Sequence, residues 1–248
     1  MNTVAIIQAR MASSRLPGKV MKILGGQTVL GHVITRVRAC LSLDEVIVAT
    51  TLASHDKIII EECAKYSVRT FRGSEDDVLS RYYHAAREIG PDLVVRVTSD
   101  CPLFDPQVLE DMLRAYYRRQ EAGQAVDYLS NTLERTFPRG LDAEIFTFTA
   151  LEKAHHAATK LYEREHVTPY LYLHPELFSL EVFCNPVDLS HHRWTLDTQE
   201  DWTFIEAIYR ALYREGNLFS TQEVLELLEA QPELMAINAH VRQKKLGE

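Results

Sequence analysis

Residues 4–20 read VAIIQARMASSRLPGKV. The opening VAIIQ is a short apolar run of the kind that makes a buried parallel strand. It passes directly into a polar loop holding three cations (Arg10, Arg15 and Lys19), the serines Ser13 and Ser14, and a Pro17-Gly18 turn. Ligands of open α/β sheets bind beyond the carboxyl ends of the strands, so this loop stands where binding is expected. Its backbone N–H groups can wrap phosphate oxygens while Arg and Lys neutralise their charge. It is not a Walker A loop, because Ser13 stands where the first Gly is required and Val20 follows Lys19. No GxGxxG occurs, and Gly25-Gly26 is an isolated turn. An ordinary basic surface loop is the competing reading; the position after the first strand favours phosphate binding.

Outward from this stretch, strand-like runs alternate with helical patterns. Strands are expected at 45–50 (EVIVAT), 68–71 and 93–97 (LVVRV). Leu30, Val33, Ile34, Val37 and Leu41 fall at helical spacing, and Ser54 can cap a helix over 54–66. Asp76 or Asp77 can cap a helix whose apolar face is Val78, Leu79, Tyr82, Tyr83, Ala86 and Ile89, closed by Gly90-Pro91. Another helix starts at Pro106. The second half is less regular, with strands expected at 144–148, 178–183 and 193–196 and helices at 149–158, 162–173, 199–213 and 221–230. Pro169 falls inside the second of these helices. The alternation implies βαβ units, a largely parallel sheet and helices on both faces. One α/β domain over 1–248 is expected, with an irregular insertion at about 130–190.

The composition suits this reading. The chain has 248 residues, 46% hydrophobic and 25% charged, a globular profile. No apolar run approaches the roughly 18 residues of a membrane span. No secretory leader is expected, because the N-terminus has no basic segment before its first strand. The four cysteines, Cys40, Cys63, Cys101 and Cys184, form no CxxC pair, which argues against zinc and fits a reducing cytoplasm. The net charge of −8 disfavours a nucleic-acid partner. Yet residues 1–43 carry six basic side chains and no acid. A positive segment on an acidic body suggests a local anion site.

Two further places can carry chemistry. Asp100, in TSDCPL, follows the strand at 93–97 on the expected ligand edge, where a carboxylate can hold Mg²⁺. A turn or helix-cap role is the alternative. Asp197, in RWTLDTQED, ends the expected strand at 193–196; Asp197 or Thr198 could instead cap the next helix, with Glu200 and Asp201 in its first turn. His155-His156 and His191-His192 read as surface pairs, since no HExxH or HxH occurs. Cys101 has no local base to make it a nucleophile. The pairs Tyr82-Tyr83 and Tyr116-Tyr117 read as packing residues.

QARMASSRLPGK resembles the nucleotide loop of the cytidylyltransferases that activate acidic sugars, approximately AR-x-x-S-x-R-L-P-G-K, a family that includes the CMP-KDO and CMP-sialate synthetases. SDCPL is similar to that family's GDEPL segment and LDTQED to its DTPED segment. FRGSEDDVLSRYY, RGLDAEIF, EREHVTPYL and RWTLDTQEDW resemble, in the same order, the subfamily named for the spore coat polysaccharide biosynthesis protein SpsF. The likeness runs from about Val4 to Tyr213.

The resemblance implies a Rossmann-like nucleotide-diphosphosugar transferase sandwich with a mixed, mostly parallel sheet and a small dimerisation or sugar-binding extension, consistent with a homodimer. It implies Mg²⁺ on Asp100 and Asp197, and Arg15 and Lys19 facing a triphosphate. Gln8, Ala9, Arg10, Ser13, Asp77 and Thr98 fall at nucleotide-binding positions. Glu144, Glu165 and His166 fall at sugar-side positions. Two departures concern base reading: Thr98 stands where the CMP-KDO pattern has Gln, and GSEDD replaces SGTDR, keeping Asp77 without an adjacent Arg. The expected activity is transfer of CMP from CTP to an acidic sugar with release of pyrophosphate, with Arg15, Lys19 and Asp100 in catalytic roles. The alternatives are a nucleotide-sugar-dependent glycosyltransferase and a non-catalytic nucleotide-binding partner in polysaccharide assembly.

Overall fold

The computed structural model describes residues 1–243. In chain order its elements are β1 (Thr3–Gln8), the small hairpin β2 (Ile23–Leu24) and β3 (Gln27–Thr28), α1 (Val29–Arg38), β4 (Glu45–Thr51), α2 (Lys57–Lys65), β5 (Arg69–Gly73), α3 (Val78–Ile89), β6 (Leu93–Thr98) and α4 (Pro106–Glu121). They continue with β7 (Tyr128–Ser130), β8 (Glu144–Thr147), α5 (Phe148–Ala157), α6 (Leu161–His166), α7 (Pro169–Tyr172), β9 (Leu180–Val182), α8 (Gln199–Leu212) and α9 (Thr221–Ala230).

Seven strands form one mixed sheet in the order β5-β4-β1-β6-β8-β7-β9. β5, β4, β1 and β6 run parallel, β8 is antiparallel to both β6 and β7, and β7 pairs parallel with β9. The reversal between β6 and β8 borders a cleft lined by Thr98, Asp100 and Glu144. Strand alternation separates the two faces of β1: Ala5 and Ile7 join the core under α1, α2 and α4, while Val4 and Ile6 join the core under α3 and α5. A third core gathers Leu24, Val29, Leu103 and Trp194 beneath α8 and α9.

Local chemistry explains most element ends. Asp77 caps α3 by accepting the Ser80 N–H at 2.9 Å, and Gly90 closes it in the left-handed conformation at φ 71. Asp105 caps α4 ahead of Pro106. Four expectations change. Ser54 opens a short 3-10 turn rather than α2, which starts at Lys57. β7, three residues long, is too short to leave an alternating pattern. The expected helix over 162–173 is two short helices, broken at Val167. Residues 193–196 are extended but not a strand: Arg139 and Arg193 form a single bridge. Trp194 and Leu196 still alternate into the core, which is why the segment reads as a strand, yet among the described residues it pairs with no strand beyond that one bridge.

Candidate active site

A cleft of about 930 Å³ lies along the carboxyl ends of β1 and β6. The β1 loop forms one wall. Gly18, at φ 67, accepts the turn after Pro17, and its N–H donates to Met11 O at 3.1 Å, folding the loop back so that Lys19 points inward. The loop is tied to the body by Asp56, which accepts the Met11 N–H at 2.8 Å.

Lys19 is the hub. Its Nζ donates to Asp100 Oδ2 at 2.8 Å, to Asp197 Oδ1 at 2.9 Å and to Leu196 O at 2.8 Å. Three acceptors use the full donor capacity of an ammonium. The Leu196 N–H donates to Asp100 O at 2.8 Å, so the backbone itself ties the Asp197 segment to the turn after β6. Asp197 Oδ2 also meets Arg15 Nη2 at 3.0 Å and Arg193 Nη2 at 3.1 Å. Arg193 is held by a two-pronged pair with Asp201, at 2.8 and 2.9 Å, and Asp201 is fully buried.

Charge states follow. Burial alone would raise the Asp100 carboxyl, but the Lys19 charge and hydrogen bonds from Lys19 and Thr98 outweigh it and bring it down to about 2. Burial works against the Lys19 ammonium too, and the two carboxylates overcome it, leaving Lys19 raised above its ordinary value. Burial, then the charges of Asp100 and Asp142, push the Cys101 thiol far up, so it stays protonated and unreactive.

The residues singled out from the sequence fall into three sets. Gln8, Ala9, Arg10, Ser13, Arg15, Lys19, Thr98, Asp100, Asp197, Glu165 and His166 line the cleft. Glu144 also touches it, but its carboxylate is fully engaged: Oε1 accepts from Tyr128 and Thr168 hydroxyls, both at 2.6 Å, and Oε2 pairs with Arg96. Asp77 is outside the lining; Ser80 N–H and the Arg164 guanidinium, at 2.6 Å, occupy it. Thr198 caps α8 and exchanges bonds with Asp201, so Asp197 is not a cap. His192, expected at the surface, is buried against Trp194, and burial together with His191 lowers it to about 4.

Sequence reasoning missed the arginines. Arg81, Arg96, Arg135 and Arg139 all line the cleft. Arg96 left a trace, a charge in the otherwise apolar LVVRV run two residues before Thr98. Arg135 is neutralised by Asp142 at 2.7 Å and 3.0 Å. The far wall is backbone-strained: Val167 has φ 73 and ψ −56, and the Thr168 N–H donates to His166 O at 2.9 Å, a γ-turn that a β-branched residue rarely adopts. It sets His166 and Thr168 on the cleft.

A family model described as Cytidylyltransferase matches residues 4–234. This chain belongs to the cytidylyltransferase family. A solved cytidylyltransferase from Leptospira borgpetersenii is similar over 99% of both chains, with 34% identity and a TM-score of 0.89. The spore coat polysaccharide biosynthesis protein SpsF of Bacillus subtilis is 32% identical over 92% of this chain and 94% of its own length. The 3-deoxy-manno-octulosonate cytidylyltransferase of an Anaeromyxobacter strain is 34% identical, over 52% of this chain and 51% of its own. The fold accordingly is the Rossmann-like nucleotidyltransferase sandwich with a mixed, mostly parallel sheet. In this cytidylyltransferase no helix among the described residues is long and apolar enough to cross a membrane.

Proposed function

We propose that this cytidylyltransferase transfers CMP from CTP to the anomeric hydroxyl of an acidic sugar for surface polysaccharide synthesis. The observation that carries this reading is the shared coordination of Lys19 by Asp100 and Asp197 in a cleft lined by the cationic loop and by Arg81, Arg96, Arg135 and Arg139. Arg10, Arg15 and Lys19 supply the positive charge that a triphosphate needs at the loop end. Arg139, whose backbone brackets Arg193 next to the Asp197 cluster, also lines the cleft and has no acidic partner among the salt bridges of the described residues, which suits a sugar carboxylate. The sugar oxygen attacks the α-phosphorus, the bond to the bridging oxygen breaks, and pyrophosphate leaves in line while the hydroxyl proton passes to solvent.

The donor set fits Mg²⁺. Each carboxylate oxygen lies under 3 Å from one ammonium nitrogen, so the two oxygens are less than about 6 Å apart and can converge on one cation. Asp100 and Asp197 would hold the ion, which when bound polarises the α-phosphate. Lys19 would then exchange carboxylate acceptors for β- and γ-phosphate oxygens. Thr98 keeps the Asp100 carboxylate oriented at 2.6 Å. Burial, and beyond it the Arg96 charge, lower His166, so it stays a neutral imidazole that can hydrogen-bond a sugar hydroxyl.

The test is pyrophosphate release from each of the four nucleoside triphosphates with Mg²⁺ and a panel of acidic sugars. Release with CTP and one acidic sugar, and not with neutral sugars, is the expected result. Consumption of a preformed nucleotide-sugar without pyrophosphate release would instead favour a glycosyltransferase.

A further inference from the structure

We infer that Arg81 reads the pyrimidine base of the nucleotide, with Gln8 as its counterpart, at the loop end of the cleft. The inference rests on the proposed use of CTP and concerns the part of that site which the SGTDR-to-GSEDD departure leaves unassigned.

Both side chains line the cleft, and each carries a buried polar atom without a hydrogen-bond partner among the described residues: Arg81 Nε, a donor, and Gln8 Oε1, an acceptor. Bare buried polar atoms are rare and costly. Arg96 Nε, a second donor, is a third in this cleft, but Arg96 is already ion-paired with Glu144, which leaves Arg81 Nε and Gln8 Oε1 as the pair of opposite polarity that points to a ligand answering both. They lie on facing surfaces. Gln8 has the same strand parity as Val4 and Ile6, whose side chains join the core under α3, and Arg81 is on α3 itself. The next residue, Tyr82, donates its hydroxyl to Ile6 O at 3.0 Å, which holds this part of α3 against β1.

Arg81 is built in, not draped. It is only 2% exposed, and its Nη1 donates to Ser74 O at 2.5 Å. Gly73 makes the room: a Cβ there would stand 3.0 Å from Arg81 Cγ and 3.1 Å from Phe71. Asp77, the acid retained from the related pattern, is closed off by Ser80 and Arg164. Val78, one turn before Arg81, supplies an apolar wall for a flat ring.

Phosphate offers acceptors alone and cannot satisfy Gln8 Oε1. Cytosine offers both types side by side: its N4 amino group donates, and its N3 and O2 accept. Uracil presents O4 to the acceptor and N3–H to the donor, so the same pair rejects it. Adenine shares cytosine's donor-beside-acceptor edge but is a ring larger, so ATP belongs in the test.

The experiment is equilibrium binding of CTP, 3-deaza-CTP, UTP and ATP to the wild-type protein and to Arg81→Lys, which keeps the charge but loses the guanidinium fork. Wild-type protein should bind CTP about tenfold or more tighter than UTP and 3-deaza-CTP, which lacks the N3 acceptor. In Arg81→Lys the CTP advantage should collapse while UTP binding stays within about twofold. Equal binding of CTP and 3-deaza-CTP by wild-type protein, or an unchanged CTP/UTP ratio in folded Arg81→Lys, overturns the assignment. If the variant fails to fold, the analogue series on wild-type protein decides alone. Wild-type protein that binds no CTP, or prefers ATP, overturns the functional reading itself, which separates the two failures.

Discussion

Asp100 and Asp197 hold one ammonium between them: Lys19 Nζ is 2.8 Å from the first and 2.9 Å from the second. The two acids come from opposite halves of the chain, and a single backbone bond, Leu196 N–H to Asp100 O at 2.8 Å, keeps them together. Lys19 therefore balances the carboxylates; under the proposed function, phosphates and a divalent cation would take its place.

Lys19→Ala removes that balance and a phosphate partner at once. CTP affinity should fall about tenfold or more, the worth of a charge-assisted hydrogen bond, while CMP affinity falls far less. Arg15→Ala should follow the same pattern. Calorimetric titration with both nucleotides checks this, and equal losses would place neither residue at the β- and γ-phosphates.

Asp100→Asn and Asp197→Asn should each lower turnover by about a hundredfold or more, by removing a charged ligand at similar volume. Thr198, not Asp197, caps α8, so a drop in the melting temperature of Asp197→Asn would come from its lost ion pairs with Arg15, Lys19 and Arg193 and not from the helix end. A variant with near-normal turnover, measured as pyrophosphate release, would rule out the shared-metal role.

Asp100 also predicts an acid dependence. Its carboxyl titrates near 3.8 unfolded and about 2 folded. The unfolded chain thus takes up the proton first as pH falls. The stabilisation is fully present above pH ~4, amounts to about 2 kcal/mol, and is lost as pH drops through ~2. Lys19, raised by its partners, adds stability below its ordinary range that is lost only in strong alkali. Urea denaturation from about pH 6 to about pH 2 should show wild-type stability falling toward that of Asp100→Asn; a constant gap between the two would contradict the shift.

Gly140→Ala should destabilise the protein by about 2 kcal/mol or more, because φ there is +108 and the added Cβ would lie 2.6 Å from the Trp194 carbonyl carbon. That backbone cannot yield easily: the Trp194 N–H donates to Arg139 O at 2.7 Å. Chemical denaturation measures the loss, and a stability change under about 0.5 kcal/mol would mean the loop relaxes freely.

Much of this was legible in the amino-acid sequence. The apolar run before QARMASSRLPGK, the cap of α3 at Asp76 or Asp77 with its Gly90 stop, and the start of α4 at Pro106 are local signals, because strand burial, capping and left-handed glycine depend on neighbours within a turn. The same locality placed Lys19 on a loop and Asp100 just past a strand. Three properties came only with the tertiary structure. The 193–196 segment alternates like a strand, but strand pairing requires a neighbour that no local pattern reveals. Glu144 reads as a sugar-side acid, yet its lone pairs are taken by Tyr128, Thr168 and Arg96, which arrive from separate elements. Arg81 reads as one polar position on an amphipathic helix. Packing of α3 across β1 turned it inward, onto the cleft that Gln8 also lines, because a helix residue's exposure is decided by what covers that face.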